Sequence, residues 1–99
     1  MILTLIKETF LKDGASIEYN LANGIYLFFN SHIFSCQVTI ISIDTDINYC
    51  NICNVFMPEN DISKTKISYN QETKKVTFDS SGAMCLGQLF KLSNIIPNK

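Results

Sequence analysis

The chain has no arginine and no tryptophan, one histidine and two prolines among its 99 residues. Arginine supplies the planar fork that recognises phosphates and guanine edges, so its absence argues against direct nucleic-acid binding, as does the net charge of −1. No apolar run is long enough to cross a membrane, and residues 1–6 lack the basic residues that begin a secretory signal. We therefore expect a cytoplasmic protein that does not bind membranes.

What the chain does contain favours one folded domain over residues 1–99. Hydrophobic residues make up 46% of it and the mean hydropathy is +0.13, which argues against disorder. Charged residues are only 17%, so Asn, Ser and Thr must cover much of the surface. Residues 1–50 carry two lysines and five acids, a charge of −3, whereas residues 51–99 carry six lysines and four acids, a charge of +2.

Residues 24–43 form the most apolar stretch, and their β-branched and aromatic residues predict a central hairpin. Residues 25–29 are apolar in both phases, which predicts a central strand covered on both faces. In the second arm an apolar set alternates with polar residues, which predicts that the apolar set is buried and the polar set is solvated. The phase changes at residues 40–41, which predicts a β-bulge or a strong bend there. The apolar set is Phe34, Cys36, Val38 and Ile40, and the polar set is Ser35, Gln37 and Thr39.

Turn signals divide the rest of the chain into strands. Asp13-Gly14 and Asn23-Gly24 predict hairpins on either side of a strand over residues 15–21. Asp44-Thr45-Asp46 predicts another turn before an interior strand at 47–57. A half-exposed hairpin is expected over residues 64–79. Residues 2–11 and 83–92 fit a strand or a helix, and we favour strands.

Short connections of this kind join antiparallel neighbours. The predicted fold is therefore mainly β: an antiparallel meander of seven or eight strands that forms a small barrel or a two-layer sandwich. A short helix at either terminus is the alternative.

The cysteines and the aspartate-rich turn are the only motifs that suggest chemistry. Cys50 and Cys53 form a C-x-x-C, but residues three apart in a strand point to opposite faces. We therefore predict that these two, with Cys36 and Cys85, are buried free thiols, and we expect no metal or cofactor. The segment from Asp44 resembles the start of an EF-hand loop but lacks its glycine and its final glutamate. The sequence predicts no catalytic residues and no enzyme activity.

Polar residues of the turns are the candidate binding residues. In an up-and-down meander alternate turns gather at the same end of the sheet. One end then collects acidic residues and the only histidine, and the other end collects Asn23, Asp44, Asp46 and Glu72 with Lys74. We predict contacts with a basic protein at these residues. The first group is Asp13, His32, Glu59, Asp61 and Asp79, and the second is Asp44 and Asp46.

In its length, its acidic loops and its lack of a catalytic motif, the chain resembles small bacterial toxin-immunity proteins of the contact-dependent inhibition type. The resemblance implies a cytosolic inhibitor, monomeric or weakly dimeric when free, that occludes the active site of a cognate toxin, such as a nuclease. A phage-encoded inhibitor of host defence has the same profile. Two other functions stay open: a small β-barrel that binds a ligand among its aromatic residues, and an enzyme or zinc protein that uses the cysteines.

Overall fold

A computed structural model describes residues 2–11, 15–32, 35–57, 65–80 and 85–93 of the chain. Within these ranges every regular element is a β-strand, and all strand pairs are antiparallel. The helix alternatives at 2–11 and 83–92 are therefore wrong where the structure describes those segments. The eight strands are β1 (Ile2–Leu11), β2 (Ala15–Tyr19), β3 (Gly24–His32), β4 (Ser35–Asp44), β5 (Tyr49–Phe56), β6 (Thr65–Asn70), β7 (Lys75–Ser80) and β8 (Cys85–Ser93).

The strands form two open sheets, a sandwich rather than a barrel. The larger sheet has the order β1-β8-β3-β4-β5 and the smaller sheet has the order β2-β7-β6. The predicted antiparallel β class is confirmed, and β3-β4-β5 and β6-β7 follow the chain as a meander does. Strands β1 and β2 do not: β1 pairs with β8, and β2 pairs with β7.

Both hairpins predicted at the start of the chain are therefore wrong, because their strands lie in different sheets. Asp13-Gly14 falls outside the described residues. Asn23-Gly24 does not close a hairpin but leads the chain from β2 into β3 of the other sheet. The glycine is still required there, since Gly24 has a φ of +149° and a Cβ would stand 3.0 Å from Cε of Lys91.

The core lies between the two sheets and is aromatic at its centre. Phe28 of β3 packs on Phe78 of β7 with ring centroids 5.0 Å apart, and this contact joins the middle strands of the two sheets. Within the smaller sheet, Tyr19 of β2 meets the same Phe78 ring at 5.2 Å. The buried apolar residues are Leu21, Tyr26, Phe28, Ile41, Ile43, Val76, Phe78 and Leu89.

Strand β4 has the opposite orientation to the one predicted. Gln37 and Thr39 are fully buried, whereas Val38 and Ile40 lie half-exposed on the other face. No register shift occurs at residues 40–41 in the pairing with β3, so the predicted bulge is absent there; the pairing with β5 shifts between Val38 and Thr39 instead. Polar residues can take the inward phase because buried partners satisfy their hydrogen bonds.

Strand β5 is an edge strand, not the interior strand predicted for 47–57, and most of its side chains are exposed. Strand β3 is central, as predicted, between β8 and β4. The smaller sheet covers its inner face, while Ile25 on its outer face is 46% exposed. The turns predicted after β4 and between β6 and β7 are confirmed at residues 45–48 and 71–74.

Candidate protein-binding surfaces

The outer face of the five-stranded sheet carries rows of apolar side chains. Residues directly opposite one another in an antiparallel sheet share a face, so the register defines these rows. Leu27 of β3, for example, lies opposite Phe90 of β8 on one side and Ile40 of β4 on the other. We call the whole set the outer apolar face. Its residues are Leu3, Leu92 and Ile25 in one row; Leu5, Phe90, Leu27, Ile40 and Cys53 in the next; and Phe29, Val38 and Phe56 in the third.

This face is continuous and accessible. Leu3, Leu5 and Phe56 are 48%, 47% and 54% exposed, and Phe29 packs edge to face on Phe90 with centroids 5.6 Å apart. With strands about 4.8 Å apart and a rise of about 3.4 Å per residue, three rows across five strands span roughly 500 Å². The first row ends in Ser42 and Asn51, and the third row continues through Gln88 of β8 to Glu8 of β1, so the area includes a polar end of each of these rows. The largest apolar patch on a monomeric protein is typically about 300–600 Å² and is often functional.

The outer face of the three-stranded sheet is polar throughout its described part. The register places Glu18, Thr77 and Ser68 in one row, and Ser16, Asp79 and Lys66 in the next. The two outer faces of the same sandwich thus differ completely in chemistry. Only the polar one is typical of an antiparallel sheet that faces water.

Asp44 and Asp46 come together around one asparagine at the end of the sandwich where β3 begins. Nδ2 of Asn23 donates to Oδ1 of Asp44 at 3.3 Å and to Oδ2 of Asp46 at 3.2 Å, while its Oδ1 accepts from the backbone N–H of Thr45 at 2.8 Å. The Asp46 N–H also donates to Oδ1 of Asp44 at 3.0 Å. We call these four residues, 23 and 44–46, the acidic turn cluster. These hydrogen bonds hold the two carboxylates in solvent-accessible positions. The cluster lies beside the outer apolar face, because Asp44 continues the outward phase of Val38 and Ile40 along β4.

The other predicted binding residues are not gathered in this way. His32 ends β3 and pairs with Ser35, and Asp79 lies near the end of β7 opposite Lys66. Asp13, Glu59 and Asp61 lie outside the described residues.

Buried polar side chains tie the two sheets together at the end opposite the acidic turn cluster. Oε1 of Gln37 accepts from the backbone N–H of Thr65 at 2.8 Å, and its Nε2 donates to the Thr65 carbonyl at 3.0 Å. Asn30 donates to the Thr65 hydroxyl at 2.7 Å, and Nε2 of Gln37 also donates to the Thr39 hydroxyl at 3.0 Å. We call residues 30, 37, 39 and 65 the polar clamp. The Gln37 amide pairs with Thr65 as a neighbouring strand would, so the clamp positions β6.

The structure describes the side chains of three of the four cysteines, and the side chain of Cys85 lies outside the described part. Cys36, Cys50 and Cys53 are free thiols, and two of them, Cys36 and Cys53, are exposed, so the prediction that they are buried is wrong. Burial raises the pKa of Cys50, which packs against the core on the face opposite Cys53, and a raised pKa opposes thiolate formation. No three His, Cys, Asp or Glu side chains of the described segments are grouped to hold a metal ion. These segments also contain no helix that could cross a membrane.

One open pocket of about 580 Å³ lies at the turn between β6 and β7. Its walls are polar, and it does not enter the core. Three of the aromatic residues proposed to line a ligand-binding barrel, Tyr26, Phe28 and Phe78, are instead buried between the sheets. Phe29 and Phe56 lie on the outer apolar face, Tyr49 is exposed, and Phe34 lies outside the described residues. The pocket is lined by Ser68, Tyr69, Asn70, Gln71, Glu72 and Thr77.

Comparison with known proteins gave no relative: no family model matches the chain, nor does any curated protein or solved structure. The candidate surfaces therefore rest on geometry alone. Sequence reasoning missed the outer apolar face because it assigned Val38 and Ile40 to the core. The available signal was that residues 25–29 are apolar in both phases.

Proposed function

We propose that this protein is a noncatalytic binding protein that acts through contact with other protein surfaces. The observation that carries this proposal is the contrast between its two outer faces, one apolar and one polar. A sandwich that only had to fold would place polar residues on both faces, as it does on the smaller sheet. A largely apolar sheet face of this extent favours a surface that is covered when the protein works.

Within this class we propose an inhibitor of the immunity type, which neutralises a basic protein. The acidic turn cluster supports this, because its two carboxylates are fixed before binding and lose little conformational freedom on contact. The hydrogen bonds that hold Asp44 and Asp46 come from Asn23 and from a backbone N–H, which are uncharged donors. Their negative charge therefore stays available to a basic partner and would speed association with it.

The test is a pull-down from the protein's own host, read by mass spectrometry, with two tagged variants beside the wild type. Asp44→Lys/Asp46→Lys reverses the charge of the acidic turn cluster. Glu18→Lys, on the polar outer face of the smaller sheet, is the control. We expect a basic protein to be recovered stoichiometrically with the wild type and with Glu18→Lys, and to be lost with the double variant. If the partner stays bound to the double variant, the acidic turn cluster is not its binding site, and an acidic partner would contradict the inhibitor proposal.

A further inference from the structure

We propose that the outer apolar face pairs with the same face of a second copy of this chain, so that two five-stranded sheets stack against each other. The inference rests on the proposed function in one respect, that this face is a contact surface. The inference goes beyond the proposed function by naming what covers the face. The acidic turn cluster is not part of the apolar rows, so a dimer would keep two such clusters for other partners.

Sheet shape favours a second copy as the occupant. Strands twist with a fixed hand, so the face of a twisted sheet is saddle-shaped. A sheet of the same twist is complementary to it, and two such sheets pack about 10 Å apart with their strands at about −30°. A second copy supplies an identical five-stranded twisted sheet. Its two-fold arrangement would make the interface closed and isologous, which is the commonest form of soluble oligomer.

The chemistry of the face also permits self-pairing without a cost in buried charge. The central row runs from Leu5 through Leu27 to Cys53 and contains no polar side chain other than the thiol. Burial of an unpaired charge would oppose association strongly. The register places Glu8 of β1 at the sheet-edge end of the third row, a rim position where a charge can stay in water. The polar residues Ser42 and Asn51 extend the first row towards the acidic turn cluster, so they would lie at the rim, where interfaces are normally polar.

The available area matches a dimer of modest strength. Roughly 500 Å² on each copy gives a total of about 1,000 Å², the lower bound for a specific interface. Such a dimer should dissociate on dilution. We therefore expect a reversible equilibrium between monomer and dimer.

Sedimentation velocity of the full chain, from about 1 µM to about 1 mM, tests this directly. We expect the wild type to approach twice the 11.2 kDa mass of the chain as its concentration rises. Leu27→Asp places a carboxylate in the central row and should weaken association at least about 100-fold, the effect of losing about 2.7 kcal/mol. Thr77→Asp puts the same charge at the centre of the polar outer face and should dimerise like the wild type. Circular dichroism checks that both variants fold, and Ile40→Lys replaces Leu27→Asp if the latter does not.

Three results would overturn the inference. A wild type that stays monomeric across the series excludes self-pairing. A dimer that survives both Leu27→Asp and Ile40→Lys forms through another surface, such as the exposed edge of β5. The third result is a monomeric wild type that recovers a host protein, with the recovery lost in Leu27→Asp and kept in Thr77→Asp. It would show that the face binds a different protein, which overturns the dimer and leaves the proposed binding function intact.

Discussion

Replacing Gln37 by leucine tests whether the polar clamp holds the two sheets together. Gln37 is fully buried, and its amide satisfies both backbone groups of Thr65, which is also buried. Leucine has a similar volume and can fill the site, but it can neither accept from the Thr65 N–H nor donate to its carbonyl. The substitution thus leaves two buried backbone groups without partners and makes no large cavity.

The expected cost follows from those two groups. Each unsatisfied buried group costs about 1–3 kcal/mol, and the burial of a leucine side chain returns part of the total. We therefore expect Gln37→Leu to lower the free energy of unfolding by about 2–4 kcal/mol, a large share of the stability of a domain of this size.

Urea unfolding followed by far-UV circular dichroism measures this loss. Gln71→Leu makes the same substitution at an exposed turn position and should change the free energy of unfolding by less than about 0.5 kcal/mol. A loss below about 1 kcal/mol for Gln37→Leu, with an unchanged dependence on urea concentration, would refute the argument. The Thr65 backbone groups would then have found water or another partner.

Two further substitutions test the β3 end of the sandwich. Tyr26 donates to the Ala22 carbonyl at 2.6 Å, so Tyr26→Phe should cost about 1 kcal/mol in urea unfolding at pH 7. Burial raises the pKa of Tyr26 above its ordinary 10.0. The contribution of Tyr26 to the free energy of unfolding is therefore complete below pH 10.0 and is lost as the pH rises through the folded-state pKa. Tyr26→Phe should lose less stability at alkaline pH than the wild type, and an equal loss would contradict this assignment. Gly24→Ala should lower the free energy of unfolding by about 1–3 kcal/mol because alanine resists a φ of +149°. The double variant Gly24→Ala/Lys91→Ala should keep most of that loss, since the Lys91 side chain can already move away from the added Cβ at residue 24. If Lys91→Ala fully restored the free energy of unfolding, backbone strain at residue 24 would be contradicted.

Local patterns predicted most of the strands because alternation and turn residues act over a few positions. Strands β3, β4, β6 and β7 and the turn at residues 45–48 follow such signals. The pairing of β1 with β8 and of β2 with β7 could not be read from the sequence, since it joins distant segments and no local pattern specifies a distant partner. Of the candidate site, the sequence placed Asn23, Asp44 and Asp46 at one end of the sheet, but it did not predict the hydrogen bonds by which Asn23 holds the two aspartates.

The orientation of β4 leaves two apolar side chains outside the core. Its inward phase includes Ile41 and Ile43, which are buried, and without a bulge in the pairing with β3 the same phase brings Gln37 and Thr39 inward. Thr65 satisfies the Gln37 amide there, and Val38 and Ile40 face outward. The outward residues join Leu27 and Phe29 of β3 in one continuous surface. Covering that surface on binding would recover the hydrophobic free energy that folding alone leaves unused, which is the expectation for a protein that works by contact.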